Sequence, residues 1–555
     1  MFLRHKKSGS RTYLQLVENR WEEGRTKQRV IATLGRLDEL QRSGELDGLV
    51  RSASRFCEDI MLLDGRHDGS VVTSTRIGPA LLFERLWRDS GCQAVIRELL
   101  QGRKFEFAVE RAVFMTVLHR LLSPGSDRAA EKWRADYKIW GTHDLQLHHL
   151  YRAMAWLGEE LPAEEQDGCT PFSPRCVKDL IEEELFLRRR DLFTRLDLVF
   201  FDTTSIYFEG EGGETLGEYG HSKDHRPDLR QMVVAAILDQ EGNPICCELW
   251  PGNTTDVKTL LPVVDRLRKR FRVQQICIVA DRGMFSKGAI DELEALQVKY
   301  ILGARMRRSL EVRDEVLARA GRYRVVQPER EHSKDPSPLK VKEVWVEDER
   351  RYVVCLNEEQ KRKDAADRQA ILDALEDKLK QGDKSLVGNK GFRKYLRQSG
   401  PHFDIDPQVV THEARYDGKW VLRSNMNELD PSELALQYKQ LWMVEDVFRS
   451  AKSILETRPI FHKCDETIRG HVFCSFLALI QRKQLLDRLE RNGHAFEWRD
   501  ILRDIDSLTE TEVERDQKRF VLRSEVKGTA GKVFQAVGVA LPKTVRCLSS
   551  ANADA

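Results

Sequence analysis

The order of apolar segments between residues 196 and 305 limits the fold of this 555-residue chain more than any other feature. The segment LDLVFFDTTSIYF is a continuous run of aromatic and branched residues, which predicts a buried strand that ends near Asp202. The segments QMVVAAILDQ and PICCELWPG follow as two strands joined by a turn at EGN. This region is therefore predicted to begin with a three-stranded meander.

The segments that follow alternate between helix and strand. TDVKTLLPVVDRLRKRF has helical spacing, QQICIVADRG is a strand that runs into Asp281, FSKGAIDELEALQ is helical, and KYILGARM is a fifth strand. This order predicts an α/β, ribonuclease-H-like fold, with a mixed sheet and helices on both faces. The last helix of that fold occurs only at PSELALQYKQLWMVEDVFRSAK, so an insertion must lie between. Within it, LKVKEVWVEDERRYVVCLN and PQVVTHEARYDGKWVLRSN are each predicted to form paired strands, with a charged helix around ILDALEDKLKQ.

Charge and composition leave the partners of the chain open. The 91 basic and 89 acidic residues give a net charge of +2, which neither requires nor excludes nucleic acid because the charges can segregate onto different faces. No apolar run is long enough to span a bilayer, and the start MFLRHKKSGS lacks the apolar core of a signal peptide, so we expect a cytoplasmic protein. The eleven scattered cysteines are expected to be buried reduced thiols.

Three acidic residues stand where local structure does not require them. Asp202 follows the apolar strand LVFF, Asp281 follows ICIVA, and Glu445 lies in the last predicted helix. Carboxylates at the ends of neighbouring strands converge on one edge of a sheet, where they suit a hard cation such as Mg²⁺. A single aspartate after a strand also caps a turn. Three carboxylates in this order of elements favour a metal site, and two ions there would support phosphodiester chemistry.

The spacing around Glu445 predicts a functional helix face. Tyr438, Glu445 and Lys452 are seven residues apart, so they fall almost on one line of a continuous helix. Lys452 would lie about 10 Å from Glu445 and reach a DNA phosphate, and Tyr438 would pack against sugar or phosphate. A packing stripe is the alternative, but Glu and Lys are poor core residues.

Several motifs together resemble bacterial insertion-sequence transposases of the DDE class. They are LVFFDTTSIYF, GHSKDHRPDLRQ, ELWPGNTTDVKTL, IVADRGMFS, YKQLWMVEDVFRSAK, ETRPIFH and IRGHVF. More narrowly, the chain resembles the branch that has a Tyr-x2-Arg-x3-Glu-x6-Lys signature and a strand-rich insertion before the catalytic glutamate. The resemblance covers nearly the whole chain and is strongest over 196–305 and 415–480.

The resemblance implies a set of site residues. Asp202, Asp281 and Glu445 would be the acidic triad, which binds two Mg²⁺ ions that Mn²⁺ can replace. Tyr438 and Lys452 would be the outer members of the signature and would contact DNA.

One member of the signature is absent from this sequence. The position of its arginine is Leu441, and Arg449, one turn beyond Glu445, is the candidate to replace it as a DNA contact.

A basic segment, GHSKDHRPDLR, lies close to the predicted sheet edge that bears Asp202. Basic residues beside a two-metal site would position the DNA backbone rather than read its bases. The candidates for this contact are Lys223, His225, Arg226 and Arg230. His221 and His225 also have loose metal spacing, but without a strong third ligand we favour DNA contact over zinc.

The resemblance also implies an activity and a domain plan. The enzyme would bind the terminal inverted repeats of its element, cleave DNA, and transfer the 3′-hydroxyl end to target DNA as a homodimer in a synaptic complex. The predicted domains are a basic hairpin region (1–70), a helical DNA-binding module (71–190), the first part of the catalytic core (191–310), a strand-rich insertion (311–430), the glutamate helix with the helix after it (431–485), and a C-terminal region (486–555).

Two other functions remain open from the sequence. A resolvase-like nuclease would cleave without strand transfer, but it needs neither the insertion nor the long helical N-terminal region. A non-catalytic DNA-binding protein derived from a transposase is disfavoured by the intact triad.

Overall fold

A computed structural model describes residues 1–22, 25–54, 56, 70–166, 169, 173–189, 198–255, 259–271, 276–281, 286–332, 335–347, 349–380, 394–399, 402–515 and 518–548. The chain divides into two compact units. The first comprises Met1–Leu82, Ala135–Lys138 and Asn492–Ala555, and the second comprises Phe83–Arg134 and Ile139–Arg491. Within the described residues, no helix combines the length and apolar character needed to cross a membrane.

The secondary structure is mixed. The strands are β1 (Phe2–Ser8), β2 (Arg11–Glu22), β3 (Arg25–Arg36), β4 (Ser70–Arg76), β5 (Leu198–Tyr207), β6 (Gln231–Leu238), β7 (Pro244–Pro251), β8 (Cys277–Ala280), β9 (Lys299–Ala304), β10 (Arg324–Gln327), β11 (Leu339–Val346), β12 (Arg350–Leu356), β13 (Leu396–Ser399), β14 (His402–Ile405), β15 (Lys419–Ser424), β16 (Thr509–Arg515), β17 (Lys518–Arg523) and β18 (Val545–Leu548). The helices are α1 (Leu37–Ser43), α2 (Glu45–Ser54), α3 (Gly78–Asp89), α4 (Cys92–Leu99), α5 (Val109–Leu122), α6 (Asp127–Trp133), α7 (Leu147–Leu157), α8 (Val177–Arg189), α9 (Leu260–Phe271), α10 (Lys287–Ala295), α11 (Glu358–Lys380), α12 (Pro407–Ala414), α13 (Pro431–Lys439), α14 (Trp442–Arg449), α15 (Asp465–Arg491), α16 (Trp498–Asp506) and α17 (Ala530–Val537).

The first unit contains two antiparallel sheets. One has the order β1-β2-β3 and the other has the order β18-β17-β16-β4. The hairpin predicted near the N-terminus corresponds to β2 and β3. The sequence interpretation missed β1, because FLRHKKS is charged and almost entirely exposed, so it lacks the apolar alternation of a half-buried strand.

The second unit is built on a nine-stranded sheet with the order β10-β11-β12-β15-β9-β8-β5-β6-β7. The five strands predicted between 196 and 305 are β5 to β9. Of these, β5, β8 and β9 are parallel, whereas β6 and β7 follow β5 as an antiparallel meander. Every residue of β6 and β7 is buried, which agrees with a sheet that is covered on both faces.

The inserted region has both expected and unexpected features. The predicted hairpin at LKVKEVWVEDERRYVVCLN is β11 and β12, and the predicted charged helix is α11. The prediction of two strands for PQVVTHEARYDGKWVLRSN is wrong in its first half, which forms α12. Asp406 caps this helix by accepting hydrogen bonds from Gln408 N and Val409 N, and Pro407 occupies its first turn. Strands β10, β11, β12 and β15 extend the sheet beyond β9 rather than forming a separate one.

The last helix of the core is interrupted, contrary to the prediction of one continuous helix. α13 and α14 are joined through Gln440 and Leu441 by i→i+3 hydrogen bonds, and a π-helical turn, Ser450–Ile454, follows α14. The three residues predicted to share one helical line therefore lie on successive segments: Tyr438 on α13, Glu445 on α14 and Lys452 in the π-helical turn.

The helices α4 to α8 belong to the second unit, and α7 packs closely on α15. A Cβ on Gly470 of α15 would lie 1.9 Å from the carbonyl oxygen of Met154 on α7. Only glycine permits this approach, because any side chain would collide with backbone. The glycine of the IRGHVF motif therefore has a packing role.

Candidate active site

Asp202 and Asp281 follow directly paired residues of two neighbouring parallel strands. Phe201 of β5 is opposite Ala280 of β8, and each aspartate is the next residue along its chain. The prediction that β5 ends near Asp202 is wrong, since β5 continues to Tyr207. β8 stops at Ala280, so Asp202 is the first residue of β5 that extends past its parallel neighbour.

Asp202 faces the side of the sheet that α13 and α14 cover. It is opposite Ala236 of β6, and Ala236 belongs to an apolar cluster with Phe200 and with Val444 of α14. Side chains two residues apart on a strand share a face, so Asp202 lies on the same face as Phe200. The amide of Thr203 donates to Oδ1 of Asp202 at 2.7 Å.

Asp281 faces the same helices. The hydroxyl of Tyr438 on α13 donates a hydrogen bond to Oδ1 of Asp281 at 2.8 Å. Tyr438 was predicted to contact sugar or phosphate, but in this structure it contacts a predicted metal ligand.

Glu445 lies in the first turn of α14 and is exposed. Val444 and Phe448, on the same helix, are buried in the apolar cluster that includes Phe200 of β5 and Ala236 of β6. Glu445 therefore lies at the edge of the apolar side of α14. The structure thus brings Asp202, Asp281 and Tyr438 to one face and carries Glu445 on a helix packed over the strand of Asp202.

Carboxylate chemistry at this face suits a divalent cation, but among the described residues the group with metal-ligand spacing is Asp127, His462 and His471, and not Asp202, Asp281 and Glu445. Carboxylate oxygens are the ligands that Mg²⁺ prefers, and one carboxylate can accept from several partners at once.

Lys452, predicted to reach a phosphate, is engaged in an ion pair. Its Nζ lies 2.9 Å from Oδ1 of Asp224, and Arg458 contacts the same oxygen at 2.7 Å. The Asp224 side chain is only 6% exposed, and its Oδ2 is buried without a hydrogen-bond partner among the described residues. Burial lowers the pKa of Lys452, although the bond to Asp224 acts in the opposite direction.

The sequence analysis missed Asp224. It lies between Lys223 and His225 in the basic segment, which was predicted from its cations to contact DNA. An acidic residue inside a basic run is a signal for internal charge pairing, and here its partners lie more than 200 residues away in the chain.

Lys223 anchors the basic segment to β5 beside Asp202. Its Nζ donates to the carbonyl oxygen of Thr203 at 2.7 Å and to Oγ1 of Thr203 at 3.0 Å, and its amide donates to Ser205 Oγ. His225 follows with a positive φ of 58°, which marks a tight turn.

Arg226 and Arg230 are half-buried near the same strand and have protein contacts. Arg226 pairs with Asp228 at 2.9 Å, and its guanidinium lies over the ring of Tyr207 at 5.6 Å. Arg230 donates to the carbonyl oxygen of Gly217 at 3.3 Å. Phosphate contact by the predicted DNA-binding residues therefore stays a prediction.

Leu441 and Arg449 occupy very different environments. Leu441, at the arginine position of the resembled signature, is 6% exposed and belongs to the apolar cluster that includes Phe200. Arg449 is 69% exposed and lies 3.6 Å from Asp446. Arg449 therefore does not occupy the space of Leu441, and its replacement of the missing arginine remains untested.

A second polar cluster joins α6 and α15. Nε2 of His462 lies 3.3 Å from Oδ2 of Asp127 and 3.1 Å from Nδ1 of His471. These three side chains have metal-ligand spacing, but the guanidinium of Arg120 lies 2.8 Å from the same Nδ1. Nε2 of His471 faces the carbonyl oxygen of Thr457, the residue before Arg458.

Comparison with protein families defines the class. The family described as "Transposase DDE domain" matches residues 194–480, which is more than half of the chain. The protein is therefore a transposase and belongs to the transposase DDE domain family, whose domains generally use divalent metal ions. The family described as "IS1634 family transposase, N-terminal domain" matches residues 3–65. Together the two matches make this chain an insertion-sequence DDE transposase.

Among solved structures, the chain is similar to one titled "Cryo-EM structure of piggyBac transposase synaptic complex with hairpin DNA (SNHP)". The two are 13% identical, with a TM-score of 0.38, and the similarity covers 77% of this chain and 79% of that one. No curated protein matches this sequence.

Proposed function

We propose that the core of this transposase is ribonuclease-H-like and that Asp202, Asp281 and Glu445 are its catalytic residues. The strand order β7-β6-β5-β8-β9, in which an antiparallel meander lies beside parallel strands, supports the ribonuclease-H-like fold. The register that pairs Phe201 with Ala280 supports the assignment of the two aspartates. That register is the single observation that carries the proposal, because it sets the two aspartates side by side.

The three carboxylates would hold two Mg²⁺ ions, for which Mn²⁺ would substitute. Bound there, the ions would activate the attacking oxygen and stabilise the leaving one. Tyr438 would act as a positioning residue, since its hydroxyl fixes Oδ1 of Asp281. The amide of Thr203 would orient Asp202 in the same way.

The reaction would be cleavage of DNA at the terminal inverted repeats of an insertion sequence, followed by transfer of the 3′-hydroxyl end to target DNA. A homodimer would hold the ends in a synaptic complex. The residues proposed to contact the DNA backbone near the core are Lys223, His225, Arg226, Arg230, Arg449 and Lys452. Arg449 supports this proposal through its exposure, whereas Lys452 would first have to exchange Asp224 for a phosphate.

Isosteric variants test the catalytic assignment. We expect Asp202→Asn, Asp281→Asn and Glu445→Gln each to reduce Mg²⁺-dependent cleavage by about 100-fold or more, because lost ligand charge removes transition-state stabilisation. The substrate is a duplex carrying the inverted repeats that border the reading frame, and binding to it should change little.

Asp446→Asn is the matched control, since this acid is adjacent to Glu445 and pairs with Arg449 and Arg482. It should cleave like the unmodified protein. If purified Asp281→Asn protein still cut the terminal duplex in Mg²⁺, the assignment would be wrong. A pre-cut duplex end assays strand transfer, and cleavage without transfer would identify a nuclease instead.

A further inference from the structure

We propose that one face of the N-terminal sheet reads base edges in the major groove of double-stranded DNA. We call it the readout face and define it by Arg4, Lys6, Arg11, Gln15, Gln28 and Thr33. The inference rests on the proposed DNA binding of this transposase, and it adds which surface reads sequence and in which groove.

The strand register assigns these side chains to one face. Arg4 is opposite Gln15, and Gln15 is opposite Thr33, so all three point the same way. The same register puts both acidic residues of the sheet, Glu18 and Glu22, on the opposite face. Of the nine Lys and Arg residues of the three strands, Arg4, Lys6, Arg11 and Arg36 lie on the readout face, where the strands carry no acidic residue. Arg36 pairs with Asp38 and Glu39 of α1, which leaves the other three as the charge of this face. This charge suits a polyanion.

The opposite face is partly occupied by the chain itself. Leu14 and Gly35 pair on that face, and a Cβ on Gly35 would lie 3.4 Å from the side chain of Leu40 on α1. Leu14 is buried there. The helix α1 thus packs against the opposite face. On the readout face Lys6, Arg11, Gln28 and Thr33 are exposed, whereas Val17, two residues beyond Gln15 on the same face, is buried.

The readout face carries a hydrogen-bonded row that crosses all three strands. Arg4 NH1 donates to Oε1 of Gln28 at 2.7 Å, and Arg4 NH2 donates to Oε1 of Gln15 at 3.2 Å. Nε2 of Gln15 donates to Oγ1 of Thr33 at 3.2 Å. Arginine pairs with guanine and glutamine with adenine through two hydrogen bonds in the major groove. The row therefore holds base-reading side chains in place before DNA arrives.

The width of the sheet selects the groove. Strands lie about 4.8 Å apart, so the outer strands of a three-stranded sheet are about 10 Å apart. The major groove of B-DNA is about 12 Å wide, whereas the minor groove is about 6 Å wide. A sheet of three strands presented face-on is too wide for the minor groove of undeformed B-DNA, whereas its width is close to that of the major groove.

Selection from a randomised 30-bp duplex pool with the full-length protein tests the inference. The wild-type protein should enrich a consensus, and Gln15→Ala and Arg4→Lys should each lose preference at one or two of its positions, by about fivefold to 100-fold per position. Arg4→Lys keeps the charge but loses the planar fork, so its affinity for unselected duplex should stay near the wild-type value. A merely structural or electrostatic role would not produce that separation.

Lys27→Ala is the matched control on the opposite face, since Lys27 pairs with Arg20 across β2 and β3. It should weaken binding to all duplexes alike and leave the consensus unchanged. Methylation of guanine N7 in the consensus should block binding, whereas a minor-groove ligand should not. An unchanged consensus in Gln15→Ala and Arg4→Lys, or competition by the minor-groove ligand alone, would overturn the inference. Cleavage of a terminal duplex that is already bound tests the catalytic triad without depending on base readout. The failure of the readout proposal can therefore be distinguished from the failure of the catalytic proposal.

Discussion

The hydroxyl of Tyr438 donates a hydrogen bond to Oδ1 of Asp281 across 157 residues of sequence, at 2.8 Å. A hydrogen bond to a charged group contributes about 1.5–3 kcal/mol, which corresponds to roughly 10- to 100-fold in rate if it matters only in the transition state. We expect Tyr438→Phe to lower the cleavage rate at saturating DNA within that range. The Mg²⁺ concentration for half-maximal cleavage should rise, because Asp281 loses its fixed orientation.

The control for that variant is Tyr416→Phe, since the hydroxyl of Tyr416 is buried and has no hydrogen-bond partner among the described residues. It should leave cleavage and Mg²⁺ dependence unchanged. If Tyr438→Phe instead weakened DNA binding without changing the rate at saturation, Tyr438 would be a DNA contact, as its spacing in the sequence suggested.

The buried charge pairing around Asp224 gives a second prediction. Lys452 and Arg458 share Oδ1 of Asp224, and removal of one partner from a buried ion pair leaves uncompensated charge. Asp224→Ala should lower the free energy of unfolding by about 3 kcal/mol in urea titrations. Asp228→Ala is the control, because its solvent-exposed pair with Arg226 is screened by water and should contribute far less. Equal losses in the two variants would contradict the pairing as a stabilising feature.

Local sequence patterns predicted the core sheet well. The strands β5 to β9 are recognisable because each is a short apolar run bounded by turn residues, and their order limits the topology. The adjacency of Asp202 and Asp281 follows from the parallel pairing of β5 with β8, in which Phe201 lies opposite Ala280, although β5 continues beyond Asp202 to Tyr207.

Other features depend on distant parts of the chain and could not be predicted in this way. The position of Lys452 is set by Asp224, which no local pattern relates to it. The interruption of the helix at Gln440 and Leu441 could not be predicted from the sequence, because both residues are good helix formers. The helix α12 was mistaken for a strand because VV and aromatic residues outweighed the cap of Asp406 and Pro407.

Leu441 gives a third prediction, which concerns the departure from the resembled signature. The side chain is buried among apolar neighbours, so an arginine there would bring an unpaired charge into the core. We expect Leu441→Arg to cost about 3 kcal/mol or more of unfolding free energy and to give no gain in cleavage. Leu441→Met should cost less than about 1.5 kcal/mol, and Trp442→Arg, at an exposed neighbouring position, should change stability little. A stable and more active Leu441→Arg protein would mean that the helix turns this position outward.

His119 gives a prediction about pH. Burial, followed by the charge of Arg120, lowers the pKa of His119 to about 4, whereas Asp127 acts in the opposite direction. The ring packs edge-on against Trp133 with centroids 5.2 Å apart. The unfolded chain has the ordinary value of 6.5, so it binds more protons than the folded chain between pH 6.5 and 4, and stability is lost as pH falls through that window.

At pH 5 the loss attributable to His119 is about 2 kcal/mol relative to pH 7. The measurement is the difference in unfolding free energy between His119→Phe and the unmodified protein, taken by urea titration at both pH values. The variant should retain more of its stability at pH 5, because phenylalanine keeps the ring contact and takes up no proton. His332→Ala, which removes a histidine whose side chain is 80% exposed, is the control for the loss of one histidine. If His119→Phe and the unmodified protein lost stability in parallel, the imidazole would have to be solvated in the folded state, which its complete burial beside Trp133 opposes.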